Sequence, residues 1–260
     1  MNTSNEKLDG LLRRAAEAIR GARHLTAFSG AGISVESGIP PFRGLGGVWE
    51  KYDPDILDLD FFVANPAESW AAIKALFTAF LGDGTRPAVA PNAAHRVLAK
   101  WEAEGRLQCT ITQNIDGLHA AAGSRKLVEY HGHCRSMTCL ACGRRAKLDA
   151  AAVAGAAVPR CVCGGLYKPD FVFFGEGIPE AAVREADRAA RLTDCMVLVG
   201  TSGVVYPAAA IPPAAKSRGA TIIEVNPERT PYTDRITDIF LPMKAGEAFT
   251  RLAELVADQD

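Results

Sequence analysis

The sequence lacks an excess of either charge. Its 260 residues contain 29 Lys and Arg against 30 Asp and Glu, which gives a formal net charge of −1. A surface this balanced offers no strong electrostatic field to a nucleic acid or to an anionic membrane. We therefore expect neither of these partners.

Long apolar runs are also missing. None approaches the ~18 residues that a membrane-spanning helix needs, and the N-terminal segment MNTSNEKLDG is too polar for a secretory signal peptide. We therefore expect a cytoplasmic protein without a membrane partner. Hydrophobic residues make up 48% of the chain and charged residues 23%, which is ordinary globular usage and excludes disorder. The length favours one large domain with a smaller one inserted.

Seven cysteines are present, and four of them form two close pairs. Two residues separate Cys139 from Cys142, and one residue separates Cys161 from Cys163, eighteen residues further on. In a reducing compartment such pairs bind Zn²⁺ more often than they form disulfides. Four thiolates complete a tetrahedron and leave no open position, so the spacing predicts one structural zinc ion. A chance grouping of buried or redox-active thiols is the alternative.

The hydrophobic pattern predicts an α/β fold. Apolar strands are expected in the segments LTAF, LQCTIT, FVFF, CMVLV and ATIIEV. Continuously apolar strands that alternate with helices form a parallel sheet buried on both faces. The predicted helices cover residues 6–21, 66–81, 92–104, 179–191 and about 207–218.

Polar or glycine-rich residues follow four of these strands, as GAGIS, QNID, GTS and NPE. The carboxyl ends of parallel strands form the ligand-binding crevice of such sheets. Gly30 and Gly32 would let the backbone approach a pyrophosphate, whose charge the N–H groups of the next turn could bind. Val35 stands where the usual dinucleotide fingerprint has its third glycine. The four strand ends together predict a nucleotide site, and glycines needed only for packing are the alternative.

Seven motifs stand in one order along nearly the whole chain: GAGISVESGIPPFRG, TQNIDGLH, YHG, the four-cysteine cluster, FFGE, GTSGVVYPAA and VNPE. Together they resemble the sirtuins, the Sir2 family of NAD-dependent protein lysine deacylases, and in particular its prokaryotic deacetylase members. The resemblance implies a Rossmann-like parallel-sheet domain with a smaller zinc-binding domain inserted. NAD and the acyl-lysine would meet in the cleft between the two.

The resemblance also implies domain boundaries. The Rossmann-like NAD-binding domain would comprise residues 1–43, 84–133 and 169–260. Residues 44–83 would form the helical part of the small domain with the cofactor-binding loop. Residues 134–168 would form its zinc-binding part, with Cys139, Cys142, Cys161 and Cys163 as the metal ligands.

Three residues would carry the chemistry. His131 matches the family's general base, and an imidazole, with its ordinary pKa of about 6.5, suits proton transfer near neutral pH. Asp116 would bind nicotinamide as it departs, and Asn114 would order a water or a ribose hydroxyl. His24 and His95 lack such a motif, so we expect both to be structural residues of the core.

The resemblance further implies where the two substrates bind. The peptide backbone would insert as an extra strand between two segments, with Val172, Phe174, Gly175, Glu176, Gly203 and Val204 as its contacts. The cofactor-binding residues would be Gly30, Ala31, Gly32, Ser34, Phe42, Arg43, Trp49, Gln113, Asn114, Ile115, Asp116, Gly200, Thr201, Ser202, Asn226, Pro227, Glu228 and Ala245.

The expected activity is transfer of an acetyl group from lysine to ADP-ribose with release of nicotinamide, and the partners would be acetylated lysine-containing proteins or peptides. Members that prefer succinyl or malonyl groups carry a Tyr and an Arg where this chain has Ile73 and Leu76. Without a cation there, burial of an acidic acyl group would leave its carboxylate unpaired. We therefore expect deacetylation over desuccinylation, with longer apolar acyl groups still open.

Two other functions fit the same motifs. Mono-ADP-ribosyl transfer or NAD hydrolysis would use the same crevice with another nucleophile. A zinc-stabilised module that only binds NAD or ADP-ribose is the non-enzymatic alternative, because a fold alone does not establish catalysis. Catalysis is favoured by His131, which simple binding would not require.

Overall fold

A computed structural model describes residues 3–41, 47–50, 52–81, 89–155 and 157–257. Its strands are β1 (Leu25–Ser29), β2 (Leu107–Thr112), β3 (Leu127–Glu129), β4 (Gly132–Cys139), β5 (Arg145–Lys147), β6 (Tyr167–Phe171), β7 (Cys195–Val199), β8 (Thr221–Val225) and β9 (Ile239–Leu241). Its α-helices are α1 (Thr3–Gly21), α2 (Leu59–Ala64), α3 (Pro66–Leu81), α4 (Ala93–Ala103), α5 (Leu118–Ala122), α6 (Ala150–Ala154), α7 (Glu180–Leu192), α8 (Ile211–Lys216) and α9 (Ala245–Ala257).

The large sheet has six strands in the order β3-β2-β1-β7-β8-β9, and all of its pairings are parallel. All residues of β1 and β7 are buried, and so are the last four residues of β8. Helices α1, α4 and α9 cover one face, where Leu25 and Val197 join their apolar residues in one core. Helices α7 and α8 cover the other face, where Phe28 and Leu198 lie. The prediction of a parallel sheet buried on both faces is confirmed.

A second, smaller module contains the four paired cysteines. Its antiparallel sheet has the order β5-β4-β6. Its core combines Trp70 and Phe77 from α3 with Met137 from β4 and Phe171 from β6. Residues of both predicted parts of the small domain therefore share one hydrophobic core, separate from the cores of the large sheet.

The chain enters and leaves the zinc-binding part of this module through adjacent strands. Gly132, the first residue of β4, pairs with Phe171, the last residue of β6. Gly132 has a φ of +73°, and a Cβ there would lie 2.3 Å from the carbonyl oxygen of Asp170. The two strands therefore approach so closely at this point that only glycine fits.

Two predicted elements differ from the structure. The segment FVFF was expected to be a strand, but β6 ends at Phe171 because its partner β4 begins opposite that residue. Beyond it, Phe174 pairs instead with the loop that precedes α2. The helix expected at about 207–218 is a 3₁₀ turn, Ala208–Ala210, followed by the short α8, whose first turn contains prolines.

Other elements match or extend the expectation. Helices α3 and α4 agree with the prediction to within about one residue, and Asn92 caps α4 by accepting a hydrogen bond from the N–H of Ala94. Helix α9 was not predicted. Within the described part of the chain, no helix combines the length and the apolar character needed to cross a membrane.

Candidate active site

A cavity of about 420 Å³ lies at the carboxyl ends of the parallel strands. Gly30 after β1, Gln113 after β2, Gly200 after β7 and Asn226 after β8 all line it. The four strand ends that the sequence singled out therefore meet at one cavity. Phe171 at the end of β6 and residues 172–176 after it close the cavity from the side of the small module.

The glycines of the first turn pack directly against the turn after β7. A Cβ at Gly32 would lie 2.6 Å from Cα of Gly200, and a Cβ at Gly30 would lie 2.8 Å from the carbonyl oxygen of Gly200. Gly200 has a φ of +60°, and a Cβ there would lie 2.3 Å from the N of Ile33. Packing alone therefore requires these glycines. The same absence of side chains leaves backbone exposed to a ligand in the cavity.

Polar side chains tie the strand ends together. The carboxamide of Gln113 donates to the hydroxyl of Thr201 over 2.9 Å. The carboxamide of Asn226 donates to the carbonyl oxygen of Thr201 over 3.0 Å. These bonds link the ends of β2, β7 and β8, so the polar wall of the cavity is held in one arrangement before any ligand binds.

Asn114 and Asp116 form a buried network with the first turn. The amide nitrogen of Asn114 lies 3.1 Å from the carbonyl oxygen of Gly30 and 3.2 Å from the hydroxyl of Ser34. That hydroxyl donates to Oδ2 of Asp116 over 2.7 Å, and Oδ1 accepts the N–H of Leu118 over 2.9 Å. Burial raises the pKa of Asp116, and the two hydrogen bonds oppose that shift.

His131 lies in the cavity wall with a defined tautomer. Its Nδ1 lies 3.1 Å from the carbonyl oxygen of Gln113. A carbonyl oxygen only accepts, so Nδ1 carries the proton and the neutral ring keeps its lone pair on Nε2. Burial lowers the pKa of His131, which favours this neutral form. A neutral imidazole with a free Nε2 lone pair has the form that a general base requires.

Two other histidines form a buried pair behind this wall. The rings of His95 and His119 pack edge to face at a centroid distance of 4.8 Å. Ser29 donates its hydroxyl proton to Thr112, so Nε2 of His119, 2.8 Å from Ser29, is the donor in that contact. His95 accepts the N–H of Asn92 at Nδ1 over 3.4 Å. Burial lowers the pKa of both rings, so both are neutral near pH 7, and their contacts make them structural.

We expected His24 and His95 to be structural residues of the core, and this was wrong for His24. His95 is fully buried, as expected, whereas His24 is exposed. His24 stands in the turn before β1, where its backbone N–H donates to the carboxylate of Asp194 over 3.0 Å. The residue therefore contributes a backbone contact and not a core side chain.

Apolar side chains of the small module line another part of the cavity. Ile73, Leu76 and Phe77 come from one face of α3, and Phe171 and Phe173 stack at a centroid distance of 4.7 Å. Ile73 and Leu76 are the two positions on which the expectation about the acyl group rests. Around them the small module also contributes the apolar side chains of Leu57, Phe171 and Phe173.

The predicted substrate segments stand at the mouth of the cavity. Val172, Phe174, Gly175 and Glu176 line it, whereas Gly203 and Val204 do not. The residues that follow Val204 do line the cavity. The sequence analysis did not assign several residues that line the cavity: Ile178, Val205, Tyr206, Pro207, Arg229, Thr230 and Pro231. The motif GTSGVVYPAA already contained three of them, so that signal was available.

Most predicted cofactor residues stand around this cavity: Gly30, Ala31, Gly32, Gln113, Asn114, Ile115, Gly200, Thr201, Ser202, Asn226 and Glu228. Ser34 and Asp116 line an adjoining small pocket instead, which shares Ala31, Asn114 and Ile115 with the main cavity. Pro227 and Ala245 are absent from both linings. Phe42, Arg43 and the side chain of Trp49 lie outside the residues that the structure describes.

The four paired cysteines form one cluster. Their sulfur atoms all lie within 4.8 Å of one another. Separations are 3.5 Å for Cys139 and Cys163, 3.7 Å for Cys142 and Cys161, and 3.4 Å for Cys142 and Cys163. Zinc–sulfur bonds of about 2.3 Å in a tetrahedron place the sulfurs about 3.8 Å apart. A Cβ at Gly165 would lie 2.6 Å from the Cys139 sulfur, so glycine keeps this space open. The cluster fits one zinc ion.

These features define a class of protein: a Rossmann-like α/β sheet with a four-cysteine metal module and a cavity between them. A family model described as the Sir2 family matches residues 30–207. The chain is 42% identical to NAD-dependent protein deacylase 2 of Pyrobaculum aerophilum over 247 residues, which cover 93% of this chain and 94% of that protein. It is 45% identical to the NAD-dependent protein deacetylase of Haloarcula marismortui over 231 residues, 87% of this chain and 88% of that protein.

Comparison with solved structures points to the same family. A complex of Sir2 with a p53 peptide and NAD⁺ superposes with a TM-score of 0.82 at 35% identity and covers 92% of this chain and 95% of that one. The chain belongs to the Sir2 family.

Proposed function

We propose that this protein is an NAD-dependent protein lysine deacetylase, which transfers the acetyl group of an acetylated lysine to ADP-ribose and releases nicotinamide. The observation that carries the proposal is the geometry of His131. Its proton is held on Nδ1 by Gln113, and its Nε2 lone pair is free in the wall of the cavity. The names of the two relatives, a deacylase and a deacetylase, support the same reaction.

NAD supplies an electrophilic ribose carbon and a leaving group when it is bound. The residues of the chain then have separate tasks. The turns at Gly30 and Gly200 would hold the diphosphate and ribose against exposed backbone. Asn114 and Asp116, fixed by Ser34, would hold the nicotinamide end. His131 would accept the proton of a ribose hydroxyl at Nε2.

The acyl-lysine would enter between residues 172–176 and 203–207. The first segment has backbone and apolar side chains at the cavity mouth, and the second exposes Val204 and Tyr206. A peptide held as an added strand is recognised mainly through its backbone. We therefore propose acetylated proteins and peptides of varied sequence as substrates, without a nucleic acid or a membrane as partner.

We also propose that one structural Zn²⁺ occupies the four-cysteine cluster and that the enzyme is cytoplasmic. Reduced thiolate ligands of this kind are typical of a reducing compartment. The separate core of the small module supports grouping residues 44–83 with residues 134–168, although this core also takes in Phe171 and Phe173.

Mass spectrometry of an acetyl-lysine peptide, incubated with the purified protein with and without NAD, tests the proposal. We expect deacetylation only with NAD, with O-acetyl-ADP-ribose and nicotinamide as products. Consumption of NAD while the peptide stays intact would instead indicate ADP-ribosyl transfer or NAD hydrolysis. If neither compound changed, the deacetylase proposal would be wrong.

A further inference from the structure

Lys168 and Glu176 form a charged pair at the proposed substrate segment, with the lysine buried and the glutamate half-buried. Lys168, in β6, is only 8% exposed, and its ammonium lies 2.9 Å from Oε2 of Glu176. The same ammonium donates to the carbonyl oxygens of Pro169 over 3.0 Å and Phe171 over 2.8 Å. It also lies 4.3 Å from the centre of the Phe173 ring. An ammonium has three donors, and here all three are used within the chain.

The carboxylate of Glu176 also binds the substrate segment itself. Its Oε2 accepts the backbone N–H of Phe173 over 2.7 Å. The backbone N–H of Glu176 in turn donates to the carbonyl oxygen of Phe173 over 3.1 Å. Residues 173–176 therefore form a turn that is closed by two hydrogen bonds, and one of them requires a side-chain acceptor at position 176. Lys168 supplies the countercharge that a largely buried carboxylate needs.

This turn connects to both sides of the cavity mouth. The N–H of Phe174 donates to the carbonyl oxygen of Leu57 over 2.9 Å, and its carbonyl oxygen accepts the N–H of Leu59 over 3.0 Å. On the other side, the N–H of Val172 bonds to the carbonyl oxygen of His131. The shape of the turn therefore sets the distance between the proposed base and the edge that the peptide would meet.

We propose that Lys168 is a positioning residue for the acyl-lysine substrate. Its ammonium fixes the carboxylate of Glu176 and, through it, the backbone of residues 173–176 in the shape that accepts the peptide. The inference rests on the proposed function and concerns the same site. It gives Glu176 a task inside the turn, since its Oε2 is engaged by Lys168 and Phe173 rather than left free for the peptide.

Lys168→Met tests this role, because it keeps the length of the side chain and leaves the carboxylate unpaired. We expect the KM for an acetyl-lysine peptide to rise by about 10- to 100-fold, the range for loss of a charged hydrogen bond. The Kd for NAD, measured by calorimetry without peptide, should change by less than about twofold, as for a distant site. A general loss of structure would instead weaken both, and that result, or an unchanged KM, would overturn the inference.

A double variant separates charge pairing from packing. In Lys168→Met/Glu176→Gln no buried carboxylate is left unpaired. We therefore expect the double variant to bind the peptide more tightly than Lys168→Met does. Glu176→Gln alone should raise the KM in the same direction and serves if Lys168→Met does not fold. A double variant that is worse than both single variants would show that Lys168 acts only through packing.

Lys216→Met is the matched control. Its ammonium lies 2.6 Å from the carboxylate of Asp238, which also accepts the N–H of Ile222 near the start of β8, at the sheet edge opposite the cavity. The KM of the Lys216→Met variant for the peptide should equal that of the unmodified protein.

Fluorescence anisotropy of a labelled acetyl-lysine peptide keeps the two proposals distinguishable. If the unmodified protein binds the peptide without deacetylating it, the proposed function fails, and weaker binding by Lys168→Met still supports the inference. If deacetylation occurs and Lys168→Met binds and reacts normally, only the inference fails. An unmodified protein that binds no peptide would overturn both.

Discussion

The backbone N–H of Val172 donates a hydrogen bond of 2.9 Å to the carbonyl oxygen of His131. The proposed base and the proposed peptide edge are therefore joined directly, although 41 positions separate them in the sequence. The imidazole of His131 is held on its other side by Gln113. The base is fixed between the sheet that carries the cofactor residues and the segment that meets the peptide.

His131→Ala should abolish deacetylation while the protein still binds NAD. Loss of a general base typically costs about 10²- to 10⁴-fold in rate, and we expect a fall in kcat of at least that size. Steady-state kinetics with an acetyl-lysine peptide and calorimetry with NAD check the two parts. His133→Ala, a change at a half-buried histidine two residues away, is the control. A His131→Ala variant that turns over normally would exclude this residue from the mechanism.

The buried histidine pair should make the protein less stable in mild acid. Burial lowers the pKa of His95 to about 4 and that of His119 to about 3, both below the ordinary value of 6.5. The unfolded chain therefore binds more protons below pH 6.5, so the stabilisation is present above this pH and is lost as the pH falls towards 4. The slope reaches up to about 1.4 kcal/mol per pH unit for each histidine.

Urea unfolding between pH 5 and 7 measures this slope. His119→Gln should show a shallower dependence than the unmodified protein, since one of the two groups no longer titrates. His24→Gln changes an exposed histidine and should leave the slope unchanged. Equal slopes for His119→Gln and the unmodified protein would show that the buried pair does not control acid stability.

Loss of zinc should unfold the small module and stop deacetylation, because the binding energy of a structural metal site is part of the folding energy. Cys139→Ala should bind no zinc, melt at a lower temperature and lose activity. Metal analysis and thermal melting with and without a strong chelator check this. Cys109→Ala, at a half-buried cysteine outside the cluster, should keep its zinc. Full activity and unchanged melting after stringent chelation would contradict the prediction.

Acetyl peptides should be cleaved at least about tenfold faster than succinyl peptides, because Ile73 and Leu76 offer no partner to a buried carboxylate. Competition between the two peptides, followed by mass spectrometry, measures the ratio. Ile73→Tyr/Leu76→Arg introduces the pair that succinyl- and malonyl-selective sirtuins carry, and it should move the ratio towards succinyl. Equal cleavage of both peptides by the unmodified protein would contradict the expectation.

Local patterns in the sequence predicted the sheet and its ligand-binding edge. Each central strand is a short apolar run that stops at a glycine or a polar residue, and this signal does not depend on distant contacts. The pairing of Lys168 with Glu176 left no such signal, because neither helix nor strand periodicity brings residues eight positions apart together. The end of β6 at Phe171 was equally hidden, since it depends on where β4 begins.

Helix α9 is a different kind of omission. Ala248, Phe249, Leu252 and Val256 are buried and recur at helical spacing, so the pattern was present in the sequence. The buried contact between His95 and His119 was hidden for a physical reason. It joins α4 to α5 through the tertiary packing of the fold, which hydrophobic periodicity does not specify.

The pairing of Gly132 with Phe171 brings the two ends of the zinc-binding segment together. The segment between these two residues begins and ends at one point, so the length of its exposed turns can change without altering the path of the large sheet. Natural variation or engineering can therefore change the exposed turns of the zinc segment, on the condition that the glycine, its paired strand and the side chains that pack against Trp70 and Phe77 are kept. Their loss would separate His131 from Val172 even in a chain whose metal site is intact.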